Sequence, residues 1–423
     1  MRRKWLAGIL IMAVCLLGSS VAFAKVSLRH WHNELGPLKQ VTDTALAERF
    51  MQLYPEVKIE VEAIPGGLME EKTVTAIMAD ATPNTERDYF GRLAAWGYQG
   101  LLVNLNGTLS QEDLDDFYPG ILASFFIDGE LIGYPTCFWL QPFLANKTIL
   151  DKAGVVFPEG SWTIAEWTEL AKKVKAMGVW PAHFFANTEQ GDYLTLMWLS
   201  IGGGLLWQDE DYTRTVLNSP ENIQALEWML GLVEEGYAPP GTAGRGIHEY
   251  LNMVYAGKVA TAPMIIRAAT LDQQQSMVDQ GMVSELQDIR VVETPRLTDS
   301  AIPKVPFGPS GVVVFQKDNS EEVRWSIEWI KFITSKENID FDAIAGAQFS
   351  ARRSVNPHTD SLPHTRLLEI VAANGTYDLG VGSPQYLACR HALVPELQAA
   401  FLGAKTAQEA LDDFAEVVVA LWK

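Results

Sequence analysis

The chain has 423 residues, 48% of them hydrophobic, and a formal net charge of −19. That is apolar mass for about two to three ordinary globular domains with large cores, and it excludes a disordered chain. So negative a field repels nucleic acid and anionic lipid surfaces.

Arg2, Arg3 and Lys4 precede an apolar run from Trp5 to Leu17, and Ala22-Phe23-Ala24 follows. Charge, apolar core and small residues in that order make residues 1–24 a cleavable secretory signal. The run is short of the roughly 20 residues that span a bilayer. The mature chain is therefore expected to begin at Lys25, outside the cytoplasm and soluble. Of the cysteines, Cys137 and Cys389 survive cleavage. Without a CxxC spacing they carry no metal or redox signature, and their separation leaves a disulfide open.

Val26, Leu28 and His30 alternate with Ser27, Arg29 and Trp31, which predicts a strand ending near Trp31-His32-Asn33-Glu34. Thr42 to Tyr54 predicts a helix with Leu46, Phe50 and Leu53 on one face, and Val57, Ile59 and Val61 a second strand. Strand, helix and strand in that order imply a parallel βαβ unit. Asp88 to Arg92 leads into an aromatic helix ending near Gly100, and an Asp-rich turn covers Ser110 to Tyr118.

Leu131 to Leu144 is apolar, aromatic and too rich in proline for a helix, so it is expected to run extended between two lobes. Asn146 to Gly154 predicts a short capped helix. Thr163 with Glu166 forms a capping box, Trp162 and Trp167 stand at the staple positions, and the helix runs to Met177. Ser219 caps another helix with Pro220 at its first position, ending at Gly236. Glu249 to Gly257 predicts a helix, Val259 to Ile266 a strand ending at Arg267, and Pro309 to Phe315 a second crossing. Ser320 to Thr334 is amphipathic, and a helical pattern runs from His391 to Lys423 through Ala399, Ala410, Phe414 and Val418.

Catalytic and cofactor motifs are missing: there is no HExxH, P-loop, GxGxxG or EF-hand loop. Gly308-x-Ser310-Gly311 falls short of a nucleophile elbow, because its second glycine arrives one residue early. His30-x-His32-x-Glu34 shares a strand face without a fourth, distal ligand, so packing is the stronger reading than a metal. No catalytic residue, metal or cofactor is assigned.

Gly133-x-Pro135, an apolar strand, Asn146-Lys147, Leu150-x-Lys152-Ala153-Gly154 and Trp162-Thr163-x-x-Glu166-Trp167 stand in an order that resembles the extracellular solute-binding proteins of bacterial ABC importers, the group of maltose-binding protein. Asn218-Ser219-Pro220-Glu221, Gly257-Lys258-Val259-Ala260 and the closing run Ala345 to Val355 are similar to the same family, with Phe349-Ser350 in place of its usual Leu-Pro. The resemblance implies an α/β, two-lobed periplasmic-binding-protein fold of class II type, each lobe a mainly parallel sheet flanked by helices, with the ligand cleft between them. It places 25–138 plus 309–350 in the first lobe and 139–308 plus 351–423 in the second. It implies a monomer that captures a mono- or oligosaccharide and delivers it to membrane permease subunits served by a separate ATPase.

A sugar needs aromatic planes for its C–H faces and fixed polar groups for its hydroxyls. Trp31, Trp139, Trp198 and Trp207 lie at expected loop or crossing positions, and Asn33, Glu34, Asp88, Gln141, Ser310 and Arg353 supply the polar half. For any one of the tryptophans core packing is as strong a reading as stacking. Arg267, Arg352 and Arg353 also admit an anionic solute, such as a sugar phosphate or sugar acid, but pairing with carboxylates is the stronger reading in a chain this acidic. Glu34 with Asp88 admits a secreted carbohydrate hydrolase.

Overall fold

Val26 and Leu28 are buried and Ser27 and Arg29 exposed, but from His30 to His32 every residue is buried, so the opening strand leaves a half-solvated edge and ends between two layers of helix. The computed structural model describes residues 26–34, 37–187, 198, 200–202, 215–263, 270–303, 305–340, 349–355, 375–376 and 385–421. The expected signal segment, Trp207 and Arg267 lie outside them.

The chain runs β1 (Val26–Glu34), α1 (Pro37–Leu53), β2 (Val57–Pro65), α2 (Gly66–Met78), β3 (Thr85–Tyr89) and α3 (Phe90–Tyr98). A hairpin of β4 (Phe126–Ile127) and β5 (Glu130–Leu131) leads to β6 (Gly133–Leu140), β7 (Phe143–Asn146), α4 (Lys147–Lys152) and α5 (Ile164–Ala176). Then come α6 (Pro220–Glu234), α7 (Ile247–Tyr255), β8 (Thr261–Pro263), α8 (Thr270–Asp279) and β9 (Ile289–Val292). The chain ends with β10 (Val305–Val314), α9 (Ser320–Ile333), β11 (Phe349–Ser350), β12 (Gly375–Thr376), α10 (Tyr386–Phe401) and α11 (Ala407–Leu421).

The first sheet has the order β11-β6-β10-β3-β1-β2, with β12 beside β10. β2, β1 and β3 are parallel, as the βαβ pattern requires, while β10 pairs antiparallel with both β3 and β6. One face is covered by α1 and α9, where the Phe50 ring meets Trp325, Trp329 and Phe332 and the His30 ring meets Trp329 edge-on. The other is covered by α2 and α3, with Trp31 packed among Ile64, Met69 and Ala76.

Leu131 to Leu144, expected as one crossing strand, is two. β6 stays in the first sheet, and after Gln141-Pro142 the chain becomes β7, the middle strand of β8-β7-β9. Proline cannot donate to a ladder, so Pro142 sits where pairing lapses. Pro135 is tolerated inside β6 because the β10 register skips Thr136 there, passing from Ser310↔Cys137 to Gly311↔Pro135; the Thr136 carbonyl instead accepts from Ala351 N at 3.1 Å. Parallel pairing was expected to prevail in both lobes, but the described strands of the second sheet are antiparallel. The second crossing was expected at Pro309 to Phe315, yet Val305 to Gly308 already belongs to the first sheet.

The helix starts follow the sequence. Asn146 Oδ1 accepts from Ile149 N at 3.1 Å, Thr163 and Glu166 close the capping box in both directions, and Ser219 accepts from Asn222 N with Pro220 behind it. The Trp162 ring meets Phe143, and Trp167 meets Trp228 while donating to Thr261 Oγ1 at 2.9 Å, which docks α5 on the second sheet. The pattern from His391 onward divides into α10 and α11 at Gly403, whose φ of +73° only glycine adopts freely. α10 lies on α6 and α11 and also touches α3, with Arg390 Nη1 3.4 Å from the Tyr89 hydroxyl. Cys137 and Cys389 are both buried and are not joined to each other by a disulfide. No helix among the described residues is long and apolar enough to cross a membrane.

Beneath the α2 and α3 face lies a carboxyl group with no solvent. Glu86 is 0% exposed; Thr73 Oγ1 donates to it at 2.8 Å and Trp96 Nε1 at 3.1 Å. Burial, with the nearby Asp88 carboxylate, pushes its pKa from the ordinary 4.5 up to about 8, against those two hydrogen bonds and Arg92. Between these values the folded chain holds a proton that the unfolded chain has released. Stability is therefore fullest at or below about pH 4.5 from this group, falls by up to roughly 1.4 kcal/mol per pH unit as pH rises towards 8, and then levels. Glu86→Gln is expected to flatten the slope of unfolding free energy, measured by denaturant titration from pH 5 to 9; an unchanged slope would show that Glu86 ionises freely.

Candidate functional site

In an open α/β sheet the crevice for a ligand lies beyond the carboxyl ends of the strands, where the chain order turns back on itself. Here that point falls between β1 and β3: the chain leaves β1 for β2 on one side and returns to β3 on the other. Asn33 and Asp88 stand at those two strand ends, and Asn33 Nδ2 donates to Asp88 Oδ1 at 2.8 Å across the gap. Glu34, the last residue of β1, pairs in register with Pro65.

Asp88 is locked as well as positioned. Its Oδ1 also accepts from Tyr89 N at 2.7 Å, and its Oδ2 accepts from Arg92 Nη1 at 2.7 Å one turn into α3. Arg92 lies over the Tyr89 ring at 4.5 Å and within 4.0 Å of Glu70. These acidic neighbours raise its pKa despite burial, so its positive charge is fixed, while burial pushes the Tyr89 phenol above its ordinary value. Arg92 was not singled out from the sequence. The signal was there as the i, i+4 spacing of Asp88 and Arg92 across a strand-to-helix turn.

The same edge gathers the crossing strands. Ser310 on β10 lies opposite Tyr89 on one side and Cys137 on the other, and Gly308 lies opposite Trp139. Trp139 is partly exposed, and its indole occupies the space over Gly308 that a side chain would fill. Two residues on, Gln141 is 2% exposed, and neither its amide nitrogen nor its amide oxygen meets a hydrogen-bond partner among the described residues. A buried amide left unpaired on both sides costs of order 1–3 kcal/mol, so its retention asks for a reason beyond folding.

The other candidates fall elsewhere. Trp31 is buried against α2, with Lys72 Nζ 4.5 Å from its ring centroid. Trp198 is 0% exposed, packed on Phe143, Phe184 and Trp228, and its Nε1 donates to the His183 carbonyl at 3.1 Å; it belongs to the second lobe's core. Arg353 donates to the Asp115 carbonyl from its guanidinium and to the Asp116 carbonyl from its backbone. Its neighbour Arg352 is 1% exposed, lies over Phe117, and donates to Thr334 O and Asp116 Oδ2. These two arginines clamp the closing loop onto the Ser110 to Tyr118 turn, where loop carbonyls and Asp116 account for them without an anion.

The His30-x-His32-x-Glu34 face behaves as packing at its two histidines. His30 Nδ1 meets Thr85 Oγ1 at 2.8 Å, and His32 Nδ1 is 3.5 Å from Asp43, which also faces Arg87 at 3.3 Å. Among the described residues no three metal-binding side chains converge on one point.

The family model described as bacterial extracellular solute-binding protein matches residues 36–339. A binding protein of Brucella abortus (strain 2308) is 24% identical over 355 residues, 79% of this chain and 78% of that one. The mannitol-binding protein of Pseudomonas aeruginosa is 22% identical over 227 residues, 51% of this chain and 50% of that one. Among solved structures, maltose-bound MalE3 of T. maritima aligns with a TM-score of 0.75 at 20% identity, over 94% of this chain and 100% of the other. A solute-binding protein of an ABC transporter from Thermotoga lettingae, bound with α-D-tagatose, aligns with a TM-score of 0.76 at 20% identity and the same coverage. At such identities the structural likeness speaks for the two-lobed fold alone. With the family model covering more than half of its length, the chain belongs to the bacterial extracellular solute-binding proteins.

Proposed function

We propose that this chain captures a neutral carbohydrate, a mono- or oligosaccharide, in the cleft between its lobes and delivers it to the permease subunits of an ABC importer, whose ATPase is a separate chain. The observation that carries the ligand class is Gln141. An amide offering two donors and an acceptor, with nothing among the described residues to meet them, suits a hydroxyl, which both donates and accepts; it is a poor match for a carboxylate or phosphate, which only accepts. The charged groups nearby point the same way. Asp88 and Arg92 neutralise each other, and Arg352 and Arg353 are held in the loop clamp. Trp139 adds the apolar plane.

Relatives and structural neighbours that carry mannitol, maltose or tagatose in their names support the same reading. We place the changes of lobe at Gln141-Pro142 and at the β10 start, so that Trp139-Leu140 and Val305 to Gly308 go with the first lobe and not, as the expected bounds of 139–308 had it, with the second. A ligand touching both lobes stabilises the closed state by its differential contacts there, and these passages absorb the rotation. We place the protein outside the cytoplasm after cleavage at Ala24, working as a monomer. We assign it no turnover, because an Asp88 held by Arg92, Asn33 and the Tyr89 amide is poorly placed as a general acid.

Melting temperature and tryptophan fluorescence, measured against neutral sugars, polyols, sugar phosphates and sugar acids, test this directly. A neutral sugar is expected to shift both signals. A response only to the anions would overturn the ligand class, and release of hydrolysed product from oligosaccharides would overturn binding without turnover. Gln141→Met is expected to weaken sugar binding about tenfold, the worth of a hydrogen bond or two, while leaving the melting temperature unchanged or raised, since an unpaired buried amide is replaced by an apolar chain of similar size. Equal loss of affinity and stability would make Gln141 a packing residue. Trp139→Ala is expected to cost more in affinity than in melting temperature; the reverse order would return Trp139 to the core.

A further inference from the structure

A glycine directly opposite a tryptophan in an antiparallel ladder leaves the ring a floor of bare backbone. Gly308 and Trp139 are such a pair, at the crevice end of the β6–β10 ladder and two residues from Gln141. A Cβ at Gly308 would stand 1.9 Å from Trp139 Cζ2, 2.1 Å from Cε2 and 2.6 Å from Cη2. The six-membered half of the indole therefore already fills the space of that side chain. The backbone of Gly308 lies outside the left-handed region, so conformation alone does not call for glycine. At Gly311, three residues on, a Cβ would meet the Tyr134 carbonyl at 2.7 Å as well as the Phe125 ring, a clash with backbone that only the sheet can relieve. At Gly308 the three nearest atoms all belong to one side chain, and that side chain is partly exposed at the crevice.

We propose that Gly308 is the positioning residue for Trp139: by lacking a Cβ it seats the indole across β10 and fixes the plane on which the sugar stacks. That the plane serves a sugar rests on the function proposed above; the seating itself does not. Any side chain at residue 308 lifts the ring from its floor, changing the ligand platform while leaving the ladder hydrogen bonds intact.

The full mature chain labelled with 5-fluorotryptophan provides the test, with the Trp139 fluorine signal assigned by its loss in Trp139→Phe. In Gly308→Ala that signal is expected to move while most others hold. Affinity, titrated with maltose and with D-tagatose, is expected to fall about tenfold in Gly308→Ala and in Trp139→Ala, and no further in the double variant, because both substitutions remove one platform. Any melting-temperature loss in Gly308→Ala should be restored in the double variant, where the clashing ring is gone, so a poorly folding single variant still yields an answer. A Trp139 signal that stays in place in Gly308→Ala, or losses that simply add in the double variant, would overturn the proposal. A signal that moves on substitution, with neither sugar perturbing it in the unsubstituted chain, would uphold the seating and overturn the sugar reading.

Discussion

The ladder between β6 and β10 is the constraint on which the crevice depends. β10 runs against β3 on one side and β6 on the other, so among the described strands it alone joins the parallel half of the first sheet to the strand that leaves for the second lobe. Were β10 absent, Asn33 and Asp88 would have no fixed relation to Trp139 and Gln141. Its cross-strand partners span the site: Ser310 between Tyr89 and Cys137, Gly308 under Trp139. Pro309 precedes the Ser310/Gly311 step of β10 and Pro135 of β6 faces it, where the register between the two strands shifts. The same irregularity frees the Thr136 carbonyl for Ala351, tying the closing loop to the passage.

Around that ladder the polar groups divide into satisfied and unsatisfied. Asp88 accepts hydrogen bonds from Arg92, Asn33 and the Tyr89 amide, while Glu86 beneath it is kept largely protonated at neutral pH by burial. Both acids are thus neutralised, one by a partner and one by a proton, in a chain that is strongly acidic overall. What this leaves at the strand ends is an amide that meets no hydrogen-bond partner among the described residues and an indole laid over Gly308. The combination is closer to the chemistry of a sugar than to that of an anion.

Much of the fold was legible in the sequence because its signals are local. Thr163 with Glu166, Ser219 with Pro220 and Asn146 with Ile149 act within three residues of each other, and the structure has all three caps. The parallel start follows from alternation alone. What local signals do not carry is partnership across the chain. The break at Gln141-Pro142 is a change of sheet, and the apolar run on both sides of it reads as one strand until the partners of β7 are known. Arg353 and Trp198 carried the right chemistry for a cleft, but their partners lie 238 and 15 residues away, in a loop clamp and a core. Gly308 and Arg92 do not read as site residues in the sequence for the converse reason: neither is unusual by itself, and each matters through what it faces, Trp139 for one and Asp88 for the other.

The central claim is that a neutral sugar is held where the first sheet's carboxyl edge meets the passage between lobes. Amide hydrogen exchange of the full mature chain, followed with and without saturating neutral sugar, tests this most directly. Protection is expected to rise together in the peptides carrying Asn33, Asp88-Tyr89, Cys137 to Gln141 and Phe307 to Ser310. Sugar binding that leaves these four segments unprotected, with protection confined to other surfaces, would contradict it.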